Sequence, residues 1–247
     1  DDIDNIFAGD LLNQCIGSSF GLRSFGIPFI GLYGACSTMA LSAGLAAVFI
    51  DSGAAKKTVS VTSSHFCSAE RQYRFPLNYG SQRTPTAQWT VTGSGALILG
   101  KDGGDIYISS VTFGEIEDLN IKDANNMGAA MAPAAAATIA DFLNDTATKP
   151  EDYDMILTGD LGAIGSELLC ELMIKQSNID ISAVHADCGL MIYDPRRQKD
   201  TEAGASGCGC SASVVCSEIL NKISGGELKR VLFVGTGALM SSVSSLQ

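Results

Sequence analysis

The stretch Asp1-Asp2-Ile3-Asp4-Asn5-Ile6-Phe7-Ala8-Gly9-Asp10-Leu11 returns later in the chain as Glu151-Asp152-Tyr153-Asp154-Met155-Ile156-Leu157-Thr158-Gly159-Asp160-Leu161. Each copy reads as an acidic loop, a short apolar strand and a Gly-Asp-Leu turn entering a helix. A second pair follows in the same order, Ala35-Cys36-Ser37 and Gly209-Cys210-Ser211. Behind each comes an apolar helix, a glycine-containing turn and a further strand, Thr58-Val59-Ser60-Val61-Thr62 in one half and Val231-Leu232-Phe233-Val234-Gly235 in the other. The wider spacing of the second pair calls for an insertion in the second half. Two ordered matches of this kind are the mark of an internal duplication.

Strands alternating with helices imply parallel sheets covered on both faces. The first half is expected to run strand 3–8, helix 11–24, strand 28–33, helix 37–50 and strand 58–63, then strands near 91–99 and 105–112. The second half reads as helix 133–144 with Pro133 at its first position, strand 154–158, helix 166–176, a strand near 182–193, helix 210–223 and strand 231–235. The helix from Ser37 to Ile50 is apolar or small almost all round, which predicts burial between layers. The division is residues 1–113 for the N-terminal half and 114–247 for the C-terminal half. Comparing the copies, the first lacks a helix ahead of its acidic loop and the second lacks strands after Val231–Gly235. The chain is therefore expected to be incomplete at both its N- and C-termini.

Composition narrows the function classes. A net charge of −11 excludes a broad nucleic-acid surface, which needs clustered Lys and Arg. The longest apolar run, Met39 to Ile50, is broken by Ser42 and Gly44 and falls short of the ~20 residues that span a bilayer. No signal-like segment opens the chain, whose first residue is Asp1. Eight cysteines in an apolar-rich chain of 247 residues read as buried thiols rather than a disulfide framework. Cys208-Gly209-Cys210 is C-x-C without a second pair at ligand spacing, so no metal or other cofactor is expected.

Ile27-Pro28-Phe29 followed by Leu32-Tyr33-Gly34-Ala35-Cys36-Ser37-Thr38 resembles the nucleophile strand and helix of the thiolase and ketosynthase superfamily. Ala8-Gly9-Asp10-Leu11-Leu12-Asn13-Gln14, Thr62-Ser63-Ser64-His65, Ala69-Glu70-Arg71-Gln72-Tyr73-Arg74, Met131-Ala132-Pro133-Ala134-Ala135-Ala136 and Asp187-Cys188-Gly189-Leu190-Met191-Ile192-Tyr193 resemble, more narrowly, the stage V sporulation protein AD family of endospore formers. The resemblance implies a thiolase-like α/β fold, two pseudo-two-fold related halves forming a layered αβαβα core. It also implies binding of dipicolinic acid, alone or as its calcium chelate, and its uptake into the developing spore. Membrane-embedded proteins of the same operon would be partners, at the inner spore membrane, and a homodimer through the nucleophile-bearing half is implied by the superfamily.

Cys36 falls where a strand turns through Gly34 into a helix N-terminus, a geometry that suits a nucleophile and equally a small buried residue. Reaction needs a base and an oxyanion site. The position of the ketosynthase histidine corresponds here to Gly159, and that of the ketosynthase asparagine most nearly to Cys208. The thiolase histidine, three residues ahead of Gly-Ala-Ser-Gly, corresponds to Thr201 ahead of Gly204-Ala205-Ser206-Gly207. The only histidines are His65 and His185. No catalytic set is therefore assigned. The expected function is non-catalytic binding, with acyl-CoA-dependent acyl transfer through Cys36 as the alternative.

A flat dianion calls for donors, a positive charge and apolar walls. The candidate ligand residues are Cys36, Ser37, His65, Arg71, Asp10, Gln14 and Cys208. Backbone N–H groups at Cys36 and Ser37 are natural carboxylate donors. Arg71 and Arg74 share the long loop 66–88 with Tyr73, Tyr79 and Arg83, and Trp89 follows it. Asp10 and Gln14 order the site or cap the next helix. His185, Asp187 and Cys188 form a polar cluster read as structural.

Overall fold

In the computed structural model, residues 2–67 and 82–238 are described. Arg71, Tyr73, Arg74 and Tyr79 lie outside them. The duplication appears as two sheets of the same plan. In the first, β1 (Asn5–Gly9) lies between β2 (Phe29–Gly31) and β3 (Lys57–Ser64), parallel to both. In the second, β6 (Met155–Thr158) lies between β7 (His185–Asp187) and β9 (Val231–Val234), again parallel to both. The first sheet gains an antiparallel strand, β5 (Gly93–Gly100), on the outer edge of β3. A ribbon of β4 (Trp89–Thr90) and β8 (Ala205–Ser206) pairs one half with the other.

The acidic loops of the repeat have a physical task. Asp4 Oδ2 accepts the backbone N–H of Lys56 at 2.6 Å and of Lys57 at 3.0 Å. Asp154 Oδ2 does the same for Lys229 at 2.7 Å and Arg230 at 2.9 Å. Each carboxylate clasps the start of the third strand to the start of the first and fixes their register. Those N–H bonds hold both carboxyls below the usual carboxylate range.

Helices fill three layers. Outside the first sheet lies α1 (Ile16–Leu22), and between the sheets lie α2 (Thr38–Asp51) and α6 (Cys208–Val214). Met39 of α2 and Cys210 of α6 meet Leu157 of β6 in one apolar cluster. Outside the second sheet, α3 (Met127–Asp145) packs on α4 (Gly162–Leu172), with Met131, Ala132 and Ile139 against Ile156 and Leu232. The result is a layered αβαβα arrangement.

Several expected elements differ. The helix expected over 11–24 is broken, because Gln14 and Cys15 adopt left-handed φ of 60° and 53°. Only Ile16–Leu22 is α-helical, with single 3-10 turns at Asn13–Cys15 and Arg23–Phe25. Residues 105–112 form no strand despite their β-rich pattern. Propensity without an adjacent strand to pair does not make a sheet, and Tyr107 and Ile116 stand exposed. The third helix starts at Met127, where Asn126 Oδ1 accepts the Ala129 N–H at 3.2 Å, so Pro133 sits inside it and not at its first position. The strand expected over 182–193 stops at Asp187, whose side chain caps α5 (Cys188–Ile192). The helix expected over 210–223 runs from Cys208 to Ser224 through a π turn at Val215–Ile219 into α7 (Leu220–Ser224). The second helix is buried or half-buried along its length as expected, with Val48, 43% exposed, as the exception within Ser37–Ile50.

The α3–α4 contact depends on glycines. A Cβ on Gly128 would sit 2.5 Å from the Leu161 carbonyl oxygen and 2.8 Å from Gly165 N. Gly128→Ala is therefore expected to destabilise by about 1–3 kcal/mol, as overpacking does. Gly21→Ala, with nothing within 4 Å of the added carbon, is expected to leave stability unchanged or raised. Urea denaturation of the two variants checks the contrast.

Candidate functional site

After β2 the chain passes Leu32-Tyr33-Gly34 and turns at Ala35, whose φ of 49° lies in the left-handed region. A non-glycine residue there costs roughly 1–2 kcal/mol. The turn delivers Cys36 to the mouth of α2, where it is 3% exposed. The segment after β9 lies across this turn. A Cβ on Gly237 would fall 2.8 Å from the Gly34 carbonyl oxygen and 3.1 Å from Ser37 N, so only a glycine lets the two backbones approach. Both donors of Ser37 are used inside the turn, its N–H and its hydroxyl each going to the Gly34 carbonyl at 3.1 and 2.6 Å.

Facing Cys36 is a fully buried carboxylate, Asp160, at the C-terminal end of β6. Its Oδ2 accepts the Ser206 hydroxyl at 2.6 Å and the Gly207 N–H at 2.9 Å, and its Oδ1 accepts the Thr236 hydroxyl at 2.9 Å. Cys36 Sγ lies 3.8 Å from Ser206 Oγ. Burial raises the Asp160 carboxyl, with these donors acting in the opposite sense. Asp160, Ser206 and Thr236 come from three distant parts of the chain and were not singled out in the sequence. The one local signal was the Gly-Asp-Leu turn shared by both copies.

The candidate residues are only partly brought together. Cys208 opens α6 and its thiol donates to the Ser63 carbonyl at 3.2 Å, in the same apolar cluster as Cys36. Beside it, Gly209 N–H donates to Ser64 Oγ, which donates to the Val91 carbonyl. Asp10 is engaged elsewhere: it accepts the Leu12 N–H and both the N–H and hydroxyl of Ser18, so it holds the first turn of α1. Gln14 and His65 are exposed. Arg83 stacks on Trp89 at 4.0 Å. Trp89 pairs with Ala205 while Thr90 pairs with Ser206, so Trp89 and Ser206 alternate to opposite faces of the ribbon.

A second buried carboxylate lies behind the first. Asp187 accepts the Thr158 hydroxyl at 2.7 Å, the Leu161 and Gly162 N–H groups at the start of α4, and the Leu190 N–H at 3.3 Å. His185 Nε2 lies 3.0 Å from Thr158 Oγ1. Burial pushes the Asp187 carboxyl up to about 7, with a further push from Asp160. Burial brings His185 down to about 4. Cys188 and Cys210 are pushed well up by burial and by these carboxylates.

The two shifts have opposite consequences for stability. Asp187 contributes stability that is full below its unfolded value of 3.8 and lost as pH rises through about 7. His185 contributes stability that is full above 6.5 and lost as pH falls through about 4. Relative to the parent chain, His185→Gln is expected to gain melting temperature on going from pH 7.5 to 5, and Asp187→Asn to lose it. Thermal melts at the two pH values check the opposite signs.

Two sheets enclosing a helix pair, with a cysteine turn at the mouth of one enclosed helix, define a thiolase-like protein. Solved structures agree. The chain is similar to 3-oxoacyl-[acyl-carrier-protein] synthase III from Aquifex aeolicus, with a TM-score of 0.59 at 13% identity over 96% of this chain and 74% of that one. It is also similar to OleA from Xanthomonas campestris with cerulenin, with a TM-score of 0.61 at 15% identity over 96% of this chain and 70% of that one. At such identities the likeness is one of fold. The sequence profile of the stage V sporulation protein AD family matches residues 1–247. The chain is also 46% identical over 241 residues to stage V sporulation protein AD of Bacillus subtilis (strain 168), covering 98% of this chain and 70% of that protein. The chain belongs to the stage V sporulation protein AD family.

Proposed function

We infer that this sporulation protein is a non-catalytic ligand binder that uses the Cys36 region to hold dipicolinic acid, free or as its calcium chelate, and supports its uptake into the developing spore. The observation that carries the non-catalytic part is Asp160. Acyl transfer through a thiol needs a base, a cation or free N–H donors at the sulfur. Here the neighbour of the sulfur is Ser206 at 3.8 Å, whose hydroxyl proton is already held by the buried Asp160 at 2.6 Å, and the Ser37 N–H is used within its own turn. The ligand itself is argued from family membership and from the chemistry of a flat dianion. Cationic candidates for its carboxylates are Arg71, outside the described residues, and His65 at the exposed end of β3.

Titration calorimetry with dipicolinate is expected to give saturable binding, kept within about threefold in Cys36→Ala because the sulfur does no chemistry. Absence of heat from the parent chain would remove this reading. The left-handed Ala35 turn favours a second reading, acyl-CoA-dependent acyl transfer through Cys36. Stoichiometric acylation of Cys36 by an acyl-CoA, seen by mass spectrometry, would replace the first reading with the second.

Partners belong to the same proposal. Membrane-embedded proteins of the same operon would hold the chain at the inner spore membrane, since no helix among the described residues is long and apolar enough to cross a membrane. A homodimer would form along β2, an edge strand of the first sheet. Phe29 lies on that strand, and Phe20 and Phe25, 63% and 64% exposed, lie in the segment leading into it. Sedimentation is expected to show roughly twice 25.7 kDa, an interface of standard size being enough. Phe29→Asp is expected to shift the species to monomer; an unchanged dimer would place the interface elsewhere.

A further inference from the structure

We propose that an open cavity between α5 and the continuous helix of α6 and α7 binds a small monoanionic amphiphile, an alkyl monocarboxylate with its head on Arg197. Its lining shares no residue with the Cys36 region, and the inference holds whichever ligand that region takes.

The cavity encloses about 530 Å³, within the ~300–1,000 Å³ of small-molecule sites. Leu190, Met191 and Ile192 of α5, with Val214 at the end of α6, make its apolar side. The π turn Val215–Ile219 supplies Ser217 and Glu218 to the lining, and turns of this kind recur at functional sites. The rim is the turn that starts at Asp194, and it is fixed by its own hydrogen bonds. The Arg197 and Gln198 N–H groups donate to the Asp194 carbonyl at 3.0 and 2.8 Å, and the Arg196 N–H donates to Asp194 Oδ1 at 2.9 Å. A rim built in advance costs little to order when a ligand arrives.

The polar groups decide the charge of that ligand. The serine hydroxyls are already used as donors, Ser213 Oγ to the Gly209 carbonyl at 2.7 Å and Ser217 Oγ to the Ser213 carbonyl at 2.6 Å. Glu218 is paired with Lys222 at 2.8 Å, and Asp194 with Arg196 at 3.1 Å. Arg197 also lines the cavity, and among the described residues its guanidinium has neither an ion pair nor a side-chain hydrogen bond. Two neutralised pairs and one unspent guanidinium leave a single positive charge beside four apolar side chains. A carboxylate on an alkyl chain matches both, because its two oxygens suit the guanidinium fork and its chain covers the apolar side. A dianion such as dipicolinate is opposed, since its second carboxylate would meet Asp194 or Glu218.

Equilibrium dialysis against radiolabelled octanoate is the test, with octan-1-ol and dipicolinate as competitors. One octanoate per chain is expected to bind saturably and to be displaced by neither competitor at equal concentration. Arg197→Gln is expected to weaken binding by at least about tenfold, the loss of one charge-assisted contact. Ser217→Trp, at an exposed position of the π turn, fills the cavity and is expected to abolish binding. If that variant melts below the parent chain, Met191→Asp takes its place, setting a like charge on the apolar side at a residue 39% exposed. Uptake by the parent chain that does not saturate overturns the proposal, as does binding left unchanged in Arg197→Gln or in the folded cavity variant. Displacement by octan-1-ol overturns the assignment of an anion, and displacement by dipicolinate overturns that of a separate monoanion site.

Discussion

A carboxylate buried without a cation must be held by neutral donors, and much of the centre of this protein is arranged around two such groups. Isolated in an apolar medium, an ionised carboxylate would cost tens of kcal/mol, so each donor to Asp160 and Asp187 is a structural requirement. Asp160 gathers the end of β6, the β8 strand through Ser206 and Gly207, and the segment after β9 through Thr236, with the Cys36 turn of the other half 3.8 Å from the Ser206 hydroxyl. Asp187 gathers β6 through Thr158, the first N–H groups of α4, and α5. The two networks converge on the seam between the halves. Their mutual repulsion is relieved by holding the Asp187 proton more tightly, and the neutral His185 adds no charge of its own.

The duplication shows which of these features are architectural and which are particular to one half. Asp4 and Asp154 do the same work in both copies, each clasping two backbone N–H groups at the start of the third strand. Asp10 and Asp160 occupy equivalent places at the end of the first strand and are both buried, yet they diverge. Asp10 turns to its own helix and binds Ser18, eight residues away. Asp160 instead reaches 46 residues to Ser206 and 76 to Thr236. The symmetric pair sets the sheets, and the asymmetric pair makes one half's cysteine turn different from the other's.

That division also explains what was legible in the sequence. The repeat predicts the three parallel strands of each sheet, because strand, turn and helix signals are local and appear twice. Local signals fail where a partner decides. Residues 105–112 carry a strand pattern without a strand to pair, and Cys188–Ile192 carries one that the cap from Asp187 converts to a helix. The position of Cys36 follows from Gly34 and the helix behind it. Its neighbours do not, because Asp160, Ser206 and Thr236 approach only through the packing of the two halves. His65 and Gln14 lie close to the site in sequence, but they end on the surface.

The cost of the Ala35 turn bears on what the site is for. A left-handed non-glycine residue persists when the surroundings over-determine it, and here they do. Gly237 crosses the turn at backbone contact distance, both donors of Ser37 close on Gly34, and Cys36 Sγ lies 3.8 Å from Ser206 Oγ. Cys36 itself is 3% exposed at this seam. The strain is matched by the close approach of the two segments, where a Cβ on Gly237 would fall 2.8 Å from the Gly34 carbonyl oxygen. A protein with this arrangement keeps a thiolase-like framework whose cysteine turn is locked by close backbone contact across the seam.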